Sequence, residues 1–300
     1  PKQFRTDAEF SQSVSQSTAN LIERGLNAGL SNETVQNQIA DVGMILRAFR
    51  GDAKDKKKQE NLGMSPGAQG GFLLANEAGT GKTFVLGGAI REILKDDPDV
   101  KVVYVTLSNE LVAQVKGDLV DYKVKGEPIG DRIQFLTYAA LHKYGSGEPT
   151  NEDTQAAFET IDSDSKVVLI FDEPDTGNIR NVLRNEREEI NRADLARRIM
   201  NQVRSGDNPG FIIMSSATVF KNPADARYLI PLDIFGPTQS IEMPDGGMAT
   251  ISGFDFWLLQ HGGQIQTTKE GTYAVWTEII NRDDEAQKLA VENSKGAFEY

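Results

Sequence analysis

Cysteine is absent from the 300 residues, which excludes disulfides and thiolate metal sites. Histidine occurs only at His142 and His261, too few for a histidine-rich zinc site, and each reads as a surface or helix-end residue. Long apolar runs are also missing. The longest beside an expected strand is Val167-Val168-Leu169-Ile170-Phe171, whereas a membrane helix needs about 20 apolar residues, so no transmembrane span is expected. No apolar N-terminal run of the signal-peptide kind is present. The chain is therefore expected to be intracellular, cytoplasmic or nuclear, and not secreted. Positive charge is in deficit, with 32 Lys and Arg against 44 Asp and Glu and a net charge of −12. Proteins that coat nucleic acid by charge alone are usually basic. A broad, non-specific coat is disfavoured, while a local groove stays open because the field that matters is local. The one basic tract, Lys54–Lys58, reads as a solvated loop.

What is present suits one large α/β domain with accessory segments. Residues 1–50 carry helical spacing: Ile22, Leu26 and Leu30, then Val35, Ile39, Val42, Leu46 and Phe49, with Ser31 offering an N-cap to the second helix. Residues 51–70 are rich in Gly, Lys and polar side chains and read as a connection. From Gly71 short apolar runs appear at 72–75, 102–107, 133–136, 167–171 and 211–214, separated mostly by helical stretches. That alternation predicts βαβ units and a mainly parallel sheet. After about residue 245 the strand pattern fades, leaving an expected helix over 254–259 and a mixed segment over 273–280. The resulting domain division is 1–66 as a helical segment and linker, 67–245 as the core, and 246–300 as an extension.

Three motifs carry chemistry. Asn76-Glu77-Ala78-Gly79-Thr80-Gly81-Lys82-Thr83 follows a strand and opens a helix. Glycines there let backbone N–H groups wrap a phosphate, and the helix N-terminus adds a favourable dipole. Lys82 would reach the β- and γ-phosphates of ATP, and the Thr83 hydroxyl would hold Mg²⁺. Asn76 stands where the strict phosphate-loop pattern has Gly. The second motif, Asp172-Glu173-Pro174-Asp175, ends a buried strand. Asp172 suits Mg²⁺, and Glu173 suits polarising an attacking water. The third, Ser215-Ser216-Ala217-Thr218, ends the next strand, where its small hydroxyl residues can hydrogen-bond the acidic motif and report on the γ-phosphate, with Ser216, Ala217 and Thr218 as the coupling residues. Two further strand ends run into Ser108-Asn109 and Thr137-Tyr138, each a helix cap or a contact residue. All five strands discharge polar residues at their carboxyl ends, the edge at which open α/β sheets bind ligands.

In order and spacing, this series over about 71–220 resembles the first RecA-like domain of superfamily 2 helicases and translocases. The phosphate loop is similar to that of Swi/Snf-type ATPases. Ser108-Asn109-Glu110-Leu111 with Thr137-Tyr138, and the stretch with Asn222, Tyr228 and Ile234-Phe235-Gly236, resemble the strawberry notch family. Asp175 looks like a DEAD-box ending. The resemblance implies an α/β P-loop ATPase fold with an N-terminal helical extension. It also implies ATP and Mg²⁺ as cofactors, and nucleic acid as partner, DNA favoured over RNA. Ser108, Asn109, Thr137 and Tyr138 would touch the nucleic acid; Gln36 and Gln38 are candidates to read adenine, the other reading being exposed polar positions on the second helix. Such motors close ATP between two RecA-like domains, the second supplying arginines. About 80 residues follow Thr218, and the chain starts at Pro1 instead of Met, so a second domain is expected beyond residue 300 or in trans. The seven arginines from Arg180 to Arg204 read as a solvated helix face. The alternative is a P-loop ATPase acting as an oligomer, or a nucleotide-binding module of an assembly.

Overall fold

The computed structural model describes residues 13–26, 31–50, 70–76, 79–145, 150–174, 192–205, 208–217, 223–243, 246–268 and 271–275. Five strands form one sheet: β1 (Gly71–Leu74), β2 (Lys101–Thr106), β5 (Ile133–Thr137), β6 (Val167–Asp172) and β7 (Phe211–Ser215), with β3 (Lys123–Val124) and β4 (Glu127–Pro128) forming a small hairpin apart from it. The sheet order is β1-β7-β6-β2-β5, and every pairing in it is parallel. All five carboxyl ends therefore lie on one edge. β2, β6 and β7 are buried nearly end to end, which is why each reads as an unbroken apolar run instead of an alternation.

Each face of the sheet has its own core. Leu74, Val102, Tyr104, Val168, Ile170 and Ile213 pack on one side with the helices α1 (Gln16–Leu26), α2 (Asn32–Arg50) and α3 (Lys82–Asp96). α4 (Asn109–Asp118) adds Val115 to that layer. Their neighbours Val103, Val105, Leu169, Phe171, Ile212 and Met214 point the other way, towards α5 (Tyr138–Gly145), α6 (Glu152–Ile161), α7 (Arg192–Ser205) and α8 (Gly253–Gln260). This is the period-two alternation of a strand read on both faces. The fold is thus α/β, a parallel sheet between two helical layers. The first two helices are part of that sandwich rather than a detached segment. Ile22, Val42, Ile45 and Leu46 are fully buried in one cluster with Ile90 and Ile93 of α3, so the division expected near residue 66 does not separate two cores.

α2 begins where Ser31 offered a cap: its Oγ accepts the N–H of Thr34 at 3.2 Å. After the sheet a 3₁₀ helix (Pro223–Leu232) leads into two antiparallel pairs, β8 (Gln239–Glu242) with β9 (Met248–Ile251), and β10 (Gln264–Thr268) with β11 (Gly271–Val275). The fading strand pattern expected after 245 is corrected here. These strands are short and partly exposed, so no long buried apolar run announces them. The helix expected over 254–259 is α8, capped by Ser252. Of the segment expected over 273–280, the first three residues end β11, and the remainder lies outside the described residues. No helix among the described residues is long and apolar enough to cross a membrane.

Candidate functional site

β1 ends at Leu74, and α3 starts at Lys82. Between them Gly79 and Gly81 sit at φ +75° and +82°, the left-handed region open to glycine at little cost. Gly81 is the N-cap of α3 and supplies no side-chain oxygen, so the first amides of the helix have no side-chain cap. Such an end favours negative charge. Lys82 is mostly buried. Its Nζ donates to the Asn76 carbonyl at 3.2 Å and lies 3.2 Å from Glu173 Oε1. Thr83 is half-buried one residue further along α3. Glu77 and Ala78 lie outside the described residues.

Asn76, the residue that breaks the strict loop pattern, is held from α2. Its Nδ2 donates to Asp41 Oδ2 at 2.7 Å and to Gln38 Oε1 at 3.3 Å, and all three side chains are buried. Buried polar groups of this kind are stable only when paired. The Asn76 side chain thus fixes the loop to α2, while its carbonyl orients Lys82. Gln38, an expected reader of adenine, is corrected on this point: its amide oxygen is occupied inside the core. Gln36 is exposed on α2.

Asp172 closes β6 opposite Ser215 of β7. Burial raises its pKa to about 6, and the neighbouring Glu173 carboxylate adds to the rise. The Tyr104 and Ser215 hydroxyls and Lys82 pull it down in part. Tyr104 Oη and Ser215 Oγ are buried and complete no well-aligned hydrogen bond of their own. Burial also pushes the Tyr104 phenol well above its ordinary range, so it stays a neutral donor. Beneath the strand end, Tyr138 donates from its hydroxyl to the Asp172 carbonyl at 3.0 Å. Glu173 takes φ +50°, a strained conformation for a residue with a Cβ. Its N–H is anchored on the Ser215 carbonyl at 2.7 Å, and its Oε2 accepts the Ala217 N–H at 3.4 Å. Ser216 is fully buried, and its N–H continues the β1 pairing on the Leu74 carbonyl.

Three of the expected motifs are therefore joined by direct contacts: Lys82 to Glu173, Glu173 to Ser215 and Ala217, and Ser216 back to β1. Thr218 and Asp175 lie outside the described residues. The other two strand ends act locally. Ser108 caps α4 by accepting the Leu111 N–H at 3.4 Å, with Asn109 exposed beside it. Thr137 accepts the Ala140 N–H at 3.1 Å at the start of α5. Tyr138, expected at a nucleic-acid surface, is corrected: it is 1% exposed and supports Asp172 from inside. Of the arginine series, Arg180, Arg184 and Arg187 lie outside the described residues. Arg197 and Arg198 are exposed on α7, and Arg204 bonds the Gly210 carbonyl at 3.1 Å. His261 ends α8 with Nδ1 2.7 Å from the Trp257 carbonyl.

No family model and no curated protein matches this sequence. Among solved structures, the chain is similar to the Sulfolobus solfataricus SWI2/SNF2 ATPase core in complex with dsDNA. The identity is 16% and the TM-score 0.36, and the match covers 71% of this chain and 36% of that one. The chain thus spans about a third of that structure.

The donor set fits a nucleotide carrying a divalent cation. A hydroxyl at Thr83 and a carboxylate at Asp172 could supply hard oxygen ligands, and helix-end amides without a side-chain cap, with a lysine, could supply the anion side. Among the described residues no cluster of three acidic, histidine or cysteine side chains forms a separate metal cage. A cation held by one or two side chains plus phosphate oxygens needs none. Asp41 and Tyr104 were not anticipated from the sequence, whereas Ser215 belongs to the hydroxyl motif expected beside the acidic pair. A polar residue placed inside an apolar run, as Tyr104 is in β2, was the available signal.

Proposed function

We propose that this chain is the ATP-binding and ATP-hydrolysing half of a nucleic-acid motor of the superfamily 2 helicase type, DNA favoured over RNA. The observation that carries the ATPase part is the contact of Lys82 with Glu173 beside an uncapped helix end. A lysine for phosphate and a carboxylate for water stand within one salt bridge of each other. The motor part rests on the resemblance of the five strand-end motifs.

In this reading the amides around Gly79–Thr83 and the Lys82 ammonium bind the β- and γ-phosphates. Thr83 and Asp172 would hold Mg²⁺, which would supply neutralisation of the phosphate charge. Before ATP binds, Glu173 neutralises Lys82. When the γ-phosphate takes over Lys82, Glu173 becomes free to orient a water and accept its proton as the water oxygen attacks phosphorus and ADP leaves. Glu173 shares its backbone and carboxylate contacts with 215–217, so its release is felt on β7. Ser216, Ala217 and Thr218 are thereby placed to relay the state of the γ-phosphate towards nucleic acid near Ser108, Asn109 and Thr137. A second RecA-like domain, in cis or in trans, would complete the site with arginine.

The test is ATP turnover by the chain joined to its second domain, with duplex DNA, single-stranded DNA and RNA each added in turn. Stimulation by one of them is expected. Binding of ATP with turnover unchanged by every nucleic acid would leave an ATPase and remove the motor. Loss of ATP binding in Lys82→Ala checks the site itself.

A further inference from the structure

A cavity of about 490 Å³ opens between α7, the 3₁₀ helix at 223–232, the start of α8 and β11. None of its lining residues belongs to the strand ends or to the phosphate loop. Its volume falls in the range of small-molecule sites, roughly 300–1,000 Å³. Its walls are aromatic and aliphatic: Tyr228, Phe254, Tyr273 and Met200. Two guanidiniums, Arg197 and Arg227, and one carboxylate, Asp255, converge on it.

The polar groups are not equivalent. Asp255 is committed to the fold: Oδ2 accepts the Ser252 hydroxyl at 2.6 Å, and Oδ1 accepts the Ala274 N–H at 3.2 Å. Arg227 packs its guanidinium over the Phe254 ring at 5.4 Å. It makes no ion pair among the described residues. Its guanidinium lies against an aromatic wall and, among the described residues, carries no carboxylate partner, so its fork can meet a planar anion. Two positive charges against one negative leave the lining with one net positive charge.

We infer that this cavity binds a monoanionic ligand with an apolar body, a carboxylate on an aromatic group. The aromatic body fills the space between Tyr228, Phe254 and Tyr273, and the carboxylate meets Arg227 with Arg197 nearby. Asp255 at the wall selects against a dianion such as a phosphate monoester, which would bring a second negative charge beside it. The same chemistry occurs in a free aryl carboxylate and in the C-terminal carboxylate of a peptide ending in an aromatic residue. The inference stands apart from the nucleotide site and survives its failure.

The probe is 3-phenylpropionate, titrated into the ¹⁵N-labelled full chain and followed by amide shifts. Saturable shifts confined to residues around 197–201, 227–231 and 254–255 are expected. 3-Phenylpropionamide, the neutral isostere, should bind about tenfold or more weakly, the loss of one charge-assisted hydrogen-bonded contact. Phenyl phosphate should also bind more weakly than the carboxylate. In Arg227→Met, which retains packing on Phe254, the carboxylate should bind no better than the amide. A peptide ending in Phe with a free carboxylate, compared with its amidated form, separates the two sources: tighter binding than 3-phenylpropionate points to a peptide, weaker binding to a small molecule. Equal affinity for acid and amide in the wild-type protein, or shifts spread elsewhere, overturns the inference without recourse to any variant.

Discussion

At the scale of single residues, Asp172 holds the main tension. A carboxyl whose pKa is raised to about 6 is more stable protonated in the fold than it would be in the unfolded chain. Its penalty is absent at low pH and grows as pH rises from its ordinary value of 3.8 through about 6. Asp172→Asn removes the charge and keeps the shape. It should stabilise the apo protein at pH 7.5 by about 2–3 kcal/mol and leave it unchanged at pH 4, as read from urea unfolding. The same substitution should abolish Mg²⁺-dependent turnover. In the wild type, Mg²⁺–ATP affinity should fall about tenfold per pH unit below 6 as protons compete for the site, and a fluorescent ATP analogue would report it. Asp41 poses a different case. It touches no expected ligand atom, yet it holds Asn76, which orients Lys82. Asp41→Ala leaves a buried amide under-paired and should destabilise by about 1–3 kcal/mol. It should also weaken ATP binding, while a conservative Asp41→Asn recovers part of both. Recovery of stability without recovery of binding would show that Asp41 does not position the loop.

At the scale of elements, α1 is tied to α3 by a buried polar cluster. Glu92 accepts Ser15 Oγ at 2.6 Å and the Thr18 hydroxyl, and it faces Arg91 and Lys95 at 3.2 Å each. Burial alone would push the Glu92 pKa up, but the hydrogen bonds from Ser15, Thr18 and Lys95 outweigh it and hold it below its ordinary value. Its contribution to stability is therefore present above its ordinary pKa of 4.5 and is lost as pH falls. Glu92→Gln should destabilise by about 2 kcal/mol at neutral pH, with the difference shrinking at pH 3. An unfolding midpoint insensitive to that substitution would mean the cluster is solvated in practice. Elements also show what a sequence can and cannot disclose. The five sheet strands and the helix after Lys82 were legible, because buried parallel strands are continuous apolar runs and a phosphate loop needs glycine at fixed positions. β8 to β11 were not legible, because short, partly exposed strands lack that signature. The inward roles of Gln38 and Tyr138 were not legible: each is polar, Gln38 within α2 and Tyr138 where β5 meets α5, and each turns inward to a buried partner.

For the molecule as a whole, two helical layers meet across one sheet, and the candidate site lies where the sheet's carboxyl edge joins them. Asn76 is held by α2 on one layer, and Asp172 is propped by Tyr138 of α5 on the other. Strain applied to either layer therefore reaches the site. The strand order adds a consequence of another kind. β1, made first, pairs only with β7, made last of the five. As the chain leaves the ribosome, Gly71 must wait for Phe211, 140 residues later by their numbers. At roughly 5–20 residues per second that is about 7–28 s in which the first strand has no partner. The Asn76–Thr83 loop is thus the first of the three motifs translated and among the last assembled. A chain ending before residue 211 should have no ATP affinity although it contains the whole Asn76–Thr83 loop, a result that equilibrium binding to the truncated chain would show. Nascent chains stalled there expose an apolar strand edge, and the cell's chaperones are the first partners that edge would meet.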